Sequence, residues 1–258
     1  MSDNPFDDRL MYQLTWLTIH IASRAMDASR APGFICFMQG LRDLFPLLDV
    51  RETLTKFMDN SNPDKINLKY VLTLKNNQNQ EIINSKIFES GATVFEWSYD
   101  LHNYASYERA KRCGGRAVLI PSIDAVKPYY APEKFPNNEW GRVFWTLLHY
   151  VAANLPEDMT ELQFTQWVAF VRGFNQSLPC HICRDHMNEF LKKNPLVDPK
   201  RRAHYRKGIN NWLFTTMFHN EVNQRLEKAI FPEEKIEQMR QMLVVQPGMN
   251  SGTLVCPI

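Results

Sequence analysis

The stretch GRVFWTLLHYVAANL, residues 141–155, is mostly apolar, contains no proline and is closed by Pro156. This predicts a buried helix, because proline cannot continue a helix and restrains the residue before it. Working outward, Thr160 and Gln163 have the spacing of a capping box. They open a second helix, TELQFTQWVAFVRGFNQSL, which Pro179 stops. CHICRDHMNEFLKK then reads as a third helix beginning at Cys180, and after the NPLVDP break a fourth is expected from about Arg201 to Lys228. Four helices with short connections predict a bundle. Strand patterns are absent from this half, which disfavours a βαβ setting for the Cys180–Cys183 pair.

The 258 residues, 44% hydrophobic and 22% charged, suffice for one large domain or two small ones. A net charge of +2 builds no field for a polyanion, so nucleic acid is not an expected partner. No apolar run approaches the roughly 20 residues of a membrane span. The acidic, polar opening MSDNPFDDRL is unlike a secretory signal or transit peptide. Five cysteines (Cys36, Cys113, Cys180, Cys183, Cys256) are few and odd in number, which excludes a disulfide-stapled secreted scaffold.

The residues alone leave three readings of the CxxC pair. Cysteines at i and i+3 on a helix N-terminus share a face and lie within disulfide reach. Thiolate, the species that exchanges disulfides, is stabilised there. Zinc competes, with His186, His204 or His219 as further ligands, although structural zinc sites usually draw ligand pairs from separate knuckles. A plain structural pair is the third. Further along, His219 and Asn223 share one helical face, with Trp212 two turns earlier. For Trp145, Trp212, His149 and His219, core packing is the alternative to ligand contact.

Three stretches occur in order: Gly141-Arg142, Trp145 and Leu148-His149; then Cys180-His-Ile-Cys183; then His219-Asn220-Glu221-Val222-Asn223 with Lys228 following. This closely resembles the Erv/ALR family of FAD-linked sulfhydryl oxidases, with its G-R-x-x-W-x-x-L-H, C-x-x-C and H-N-x-V-N motifs, over about residues 138–232. The resemblance implies a helical bundle holding FAD beside a redox-active Cys180–Cys183 disulfide. By motif, Gly141, Arg142, Trp145 and His149 would contact the cofactor from the first helix. His219, Asn220, Val222, Asn223 and Lys228 would do so from the last. It implies a relay in which substrate thiols reduce the pair through Cys180, Cys183 abuts the flavin, and FAD passes electrons to oxygen, giving hydrogen peroxide. No metal is expected. The sequence departs from the family at Asn154, where an aromatic is common, and at Glu227, where glycine usually stands.

The N-terminal half repeats the pattern. Trp16 and His20 match Trp145 and His149, and LHNYAS (101–106) echoes FHNEVN (218–223). Phe37, Gly40, Pro46, Arg51 and Phe57 recur as Phe170, Gly173, Pro179, Arg184 and Phe190, all at an offset of 133. Leu47 and Val50 stand at the two cysteine positions, and Tyr12 and Gln13 replace Gly141-Arg142. The expected fold is therefore all-α: an Erv/ALR-type four-helix bundle preceded by a degenerate copy, forming an intramolecular pseudo-dimer. Its expected parts are a degenerate module (1–112), a linker (113–137) read as extended surface chain, a catalytic module (138–235) and a tail (236–258). This layout most resembles the sulfhydryl oxidases of baculoviruses and related insect viruses. A small hairpin is expected at 67–87, Cys36 is read as a core thiol, and Cys256 as unpaired or incidental.

Expected partners are thiol-bearing proteins and molecular oxygen, with a homodimer beyond the internal pair, no nucleic acid and no membrane span. The expected location is the cytoplasm or nucleus of an infected cell, or the virion. A catalytically inactive Erv-like interaction protein and a zinc-binding helical module are the competing classes.

Overall fold

Residues 8–58, 73–75, 81–83, 91–114, 118–135 and 137–245 are described by a computed structural model. The N-terminal half holds α1 (Asp8–Arg24), α2 (Ala31–Leu44), α3 (Leu48–Met58) and α4 (Gly91–Arg112). A two-stranded antiparallel pair, β1 (Thr73–Lys75) with β2 (Glu81–Ile83), sits where the hairpin was expected, with Thr73 opposite Ile83. After the short α5 (Ile123–Val126) come α6 (Asn137–Ala153), α7 (Glu161–Ser177) and α8 (His181–Lys193). The short α9 (Arg202–Tyr205), then α10 (Gly208–Arg225) and α11 (Glu233–Leu243), complete the chain. The packed body is helical, as expected.

Helices α6, α7 and α8 follow their local chemistry. In α6, Phe144, Leu147, Leu148 and Val151 recur at helical spacing and are buried, so the apolar stripe faces the core. Thr160 and Gln163 form the capping box of α7, each side chain bonding the other's backbone N–H. Cys180 is the N-cap of α8, and Lys192 and Lys193 lie in its last turn, where cations suit the helix dipole. The expected fourth helix is broken in two. Gly208 lies so near the chain end of α6 that an added Cβ would sit 2.5 Å from the Pro156 carbonyl. The backbones also bond there, Gly208 N–H to the Glu157 carbonyl and Met159 N–H to that of Arg206.

The most extensive helix contact is α2 against α7. A Cβ at Gly40 would lie 2.5 Å from that of Phe170, and one at Gly173 would lie 2.3 Å from the Phe37 backbone nitrogen. Only glycine permits such an approach. The contacts come in exchanged pairs, since Phe37 meets Gly173 while Phe170 meets Gly40, and the two phenyl rings stack at 5.8 Å. Outside this seam, α1 packs on α4 and on α6, and α6 on α10, so one continuous core crosses both halves.

Two segments depart from expectation. Residues 233–243, assigned mainly to the tail, form α11 on α6. Its buried Leu243 and the Asn154 amide, which donates to the Leu243 carbonyl and accepts from Val245 N–H, fasten it there. The linker is not simply extended: it makes α5 and two short 3-10 turns, Lys127–Tyr130 and Pro132–Lys134, and lays the Tyr130 ring on His20 at 4.5 Å. Ser122 caps α5, which explains the local winding in a proline-rich segment. Cys36 is half-buried rather than fully in the core, and burial raises its thiol pKa. Cys113 is disulfide-bonded. Cys256 lies outside the described residues.

Candidate functional site

Pro179 ends the approach from α7, and Cys180 turns the chain into α8. The Cys183 amide donates to the Cys180 sulfur at 3.2 Å, so the first cysteine occupies the position of a side-chain cap. Both cysteines are half-buried free thiols packed on the core, beside the same cluster that takes Trp145 and Val222. Burial and the neighbouring Cys180 push the Cys183 thiol up to about 12, against a partial opposing effect of Arg184. At Cys183 desolvation outweighs the stabilisation of thiolate by the helix end. Asn175 on α7 donates to Asn188 on α8 at 2.6 Å and braces the helix that carries the pair.

An aromatic and histidine cluster is built from α6 and α10. Trp145 and His219 lie face to face at 4.1 Å with planes 6° apart. His149 is buried between Thr215 Oγ1 at 3.1 Å and His219 Nδ1 at 2.9 Å. The network assigns the tautomers. The Thr215 hydroxyl gives its proton to the Trp212 carbonyl, so it can only accept from His149 Nδ1–H. His149 Nε2 then accepts from His219 Nδ1–H, which leaves His219 Nε2 a bare acceptor. Burial lowers His149 to about 3 and His219 to about 4, and for His219 the Lys228 charge adds to the effect. Both rings are neutral at physiological pH.

Lys228 is brought back by the end of α10. Its N–H bonds the Asn223 carbonyl and the Glu227 N–H that of Gln224, the pair of bonds of a Schellman cap. Glu227 sits at φ 53°, the left-handed conformation for which glycine is the usual choice. Asn220 does not offer its amide to the site: it donates to the Phe231 carbonyl and accepts from the Phe231 N–H. Phe231 in turn packs on the His219 ring at 5.5 Å. Asn223 is buried, Val222 half-buried, and Arg142 and Lys228 are exposed.

At Gly141 an added Cβ would meet nothing within 4 Å, so open space adjoins Trp145. Among the described residues no trio of His, Cys, Asp or Glu gathers into a metal-holding group, so a zinc clamp at the CxxC pair has no third ligand there. No helix of the described residues is long and apolar enough to cross a membrane. Sequence reasoning passed over Thr215, although Ser98 and Thr215 each precede a motif histidine by four residues, which was the available signal.

The sequence profile of the Erv1 / Alr family matches residues 142–241. The chain is 36% identical over 94 residues to a FAD-linked sulfhydryl oxidase of African swine fever virus, covering 35% of this chain and 71% of that protein. It is 34% identical over 97 residues to a FAD-linked sulfhydryl oxidase of Arabidopsis thaliana, 38% of this chain and 47% of the other. It is 33% identical over 96 residues to a mitochondrial FAD-linked sulfhydryl oxidase of Schizosaccharomyces pombe, 36% and 48%. The matched region thus spans about half the length of the plant and yeast relatives. No solved structure matches the chain.

Proposed function

The chain belongs to the Erv1 / Alr family, and from that premise we propose that it is a FAD-dependent sulfhydryl oxidase that forms disulfides in thiol-bearing proteins. One observation carries the reading: Cys180 caps α8, Cys183 follows one turn on, and both are half-buried free thiols packed on the core. The surroundings fit a flat cofactor with a pyrophosphate. Space is open above Gly141, the Trp145–His219 face is planar, and Arg142 and Lys228 supply exposed positive charge. Gly141, Arg142, Trp145, His149, His219, Val222, Asn223 and Lys228 would hold FAD. Asn220 enters the same reading indirectly, by fixing Phe231 against His219. When bound, FAD supplies a two-electron acceptor for the cysteine pair and a donor to oxygen, giving hydrogen peroxide.

The protein's own part is thiol–disulfide exchange. With the pair oxidised, a substrate thiolate attacks the Cys180 sulfur; the Cys180–Cys183 bond breaks and Cys183 takes up a proton, as its high pKa favours. A second substrate thiolate attacks the substrate sulfur of the mixed disulfide and releases Cys180. Two substrate thiols become one disulfide, and two electrons rest on the pair. His149 and Thr215 hold His219 in one tautomer and one plane.

The proposal extends to the architecture. Residues 1–112 are read as a degenerate copy, joined through 113–137 to a redox module of 138–235, and α2 covers the face of α7 that a second subunit would cover. The exchanged Phe37–Gly173 and Phe170–Gly40 contacts support this, as do Leu47 and Val50 in place of cysteines. Self-association of whole chains, and residence in the cytoplasm or nucleus of an infected cell or in a virion, belong to the same reading. The test is the absorption spectrum and oxygen uptake of purified wild type, C180S and C183S. A flavin band in all three, with dithiol-driven oxygen uptake in wild type only, is expected. A colourless wild type, or a yellow one that consumes no oxygen, would refute it and leave a non-enzymatic Erv-like fold.

A further inference from the structure

The carbonyl of Leu178, two residues ahead of Cys180, receives two guanidinium groups from different parts of the chain. Arg184, in the first turns of α8, donates to it from Nη1 at 2.6 Å. Arg30, from the short turn between α1 and α2, donates from Nη1 to the same oxygen and to the Gln176 carbonyl, each at 3.3 Å. The rest of the Arg30 fork is also held: Nε pairs with Asp27 Oδ2 at 2.8 Å and Nη2 donates to the Ala25 carbonyl. Its side chain is only 12% exposed. Arg184 interacts electrostatically with Arg30 on one side and with Cys180 and Cys183 on the other.

This contact has no mirror image. At the 133-residue offset, the counterpart of Arg30 is Gln163, whose amide is engaged in the capping box of its own helix. The Arg30 contact is therefore an asymmetric element beside the seam of α2 and α7, and it points at the segment that presents the cysteines.

Resting on the oxidase reading, we propose that Arg30 is a positioning residue for the Cys180–Cys183 pair. It fixes the Leu178–Pro179–Cys180 segment jointly with Arg184 and adds positive charge that favours the reduced pair. The N-terminal half thus contributes to redox poise as well as covering a surface. In the exchange concerned, a reduced dithiol gives two electrons and two protons to the Cys180–Cys183 disulfide and itself becomes a disulfide.

The test equilibrates flavin-loaded protein without oxygen in dithiothreitol buffers of graded oxidised-to-reduced ratio, then counts free Cys180 and Cys183 by alkylation and mass. R30Q removes charge and fork, and is expected to demand about tenfold more reducing conditions for half-reduction, roughly 30 mV. R30K keeps the charge without the fork and is expected to fall between, at about threefold. D27N leaves the Arg30 charge uncompensated and is expected to shift the balance the opposite way. An R30Q protein that folds, binds flavin and equilibrates within about twofold of wild type overturns the proposal. Should R30Q not fold, an unmoved D27N does the same. Failure of the oxidase reading is separate: wild type would then lack flavin or oxygen uptake, whatever the cysteine equilibrium.

Discussion

The two histidine clusters of this protein have the same wiring and different neighbours. In the N-terminal half His20 Nδ1 meets Ser98 Oγ at 3.2 Å, His20 Nε2 meets His102 Nδ1 at 2.8 Å, and Trp16 stacks on His102 at 4.5 Å. In the C-terminal half His149, Thr215, His219 and Trp145 repeat each contact. Beside Trp16, however, the Tyr12 ring takes the place left open at Gly141, edge-on at 5.8 Å and covered by the Arg109 guanidinium at 4.7 Å. Tyr130 of the linker closes over His20, and Leu47 and Val50 are buried where the other half has its thiols. The histidine, hydroxyl and tryptophan therefore serve the fold in both halves. Sulfur and the uncovered side of Gly141 are what set the second half apart, since beside Trp16 only a cavity of about 10 Å³ remains, lined by Tyr12 and Arg109.

The sharpest way to break that comparison is to carry the plug across. Gly141→Tyr should weaken flavin retention by about 10–100-fold, the usual 1–3 kcal/mol of overfilling a packed space, read as the flavin-to-protein absorbance ratio after gel filtration. Wild type should hold one flavin per chain, and Tyr12→Gly should not create a second site, because Tyr130 remains. Two flavins per wild-type chain would show the halves to be functionally equal.

Next in size is an acid dependence that both clusters share. His20 and His149 are lowered to about 3, and His102 and His219 to about 4, by burial as neutral rings. Between those values and the ordinary 6.5 the unfolded chain binds more protons than the native one. Stability is then full above about 6.5 and falls as the pH drops toward 3. The urea midpoint should decline over that window, and His20→Asn and His149→Asn should each flatten the decline. Flattening by only one of them would break the equivalence of the clusters. The smallest effect belongs to the end of α10. Glu227→Gly should stabilise by about 0.5–1 kcal/mol by relieving the left-handed strain, measured as a shift in the same midpoint.

Helices α6, α7 and α8 were legible because their signals are local: an apolar stripe, a capping box, and a proline before an N-cap cysteine. The split between α9 and α10 was not. It arises from Gly208 docking on the Pro156 carbonyl across the fold, and sequence periodicity carries no trace of a contact between distant backbones. α11 was missed for a similar reason. Its anchors, Leu243 and the Asn154 clasp, act only once α6 is beside it. Of the site, the motif residues were legible as a set. The clasping role of Asn220 and the contact of Arg30 with Leu178 were not, because each depends on a backbone carbonyl or amide that any residue would supply.

The seam of α2 and α7 also changes what dilution can do. Two separate subunits meet according to their concentration, whereas halves tied by one chain face each other at an effective concentration set by the connection, in the millimolar range for short flexible linkers. The unfolding midpoint of this seam is accordingly independent of protein concentration. A further consequence is genetic. In a homodimer every substitution appears on both sides of the axis, but here each appears once. On the proposed reading, one side can carry Leu47, Val50, Tyr12 and Arg30 while the other keeps its thiols.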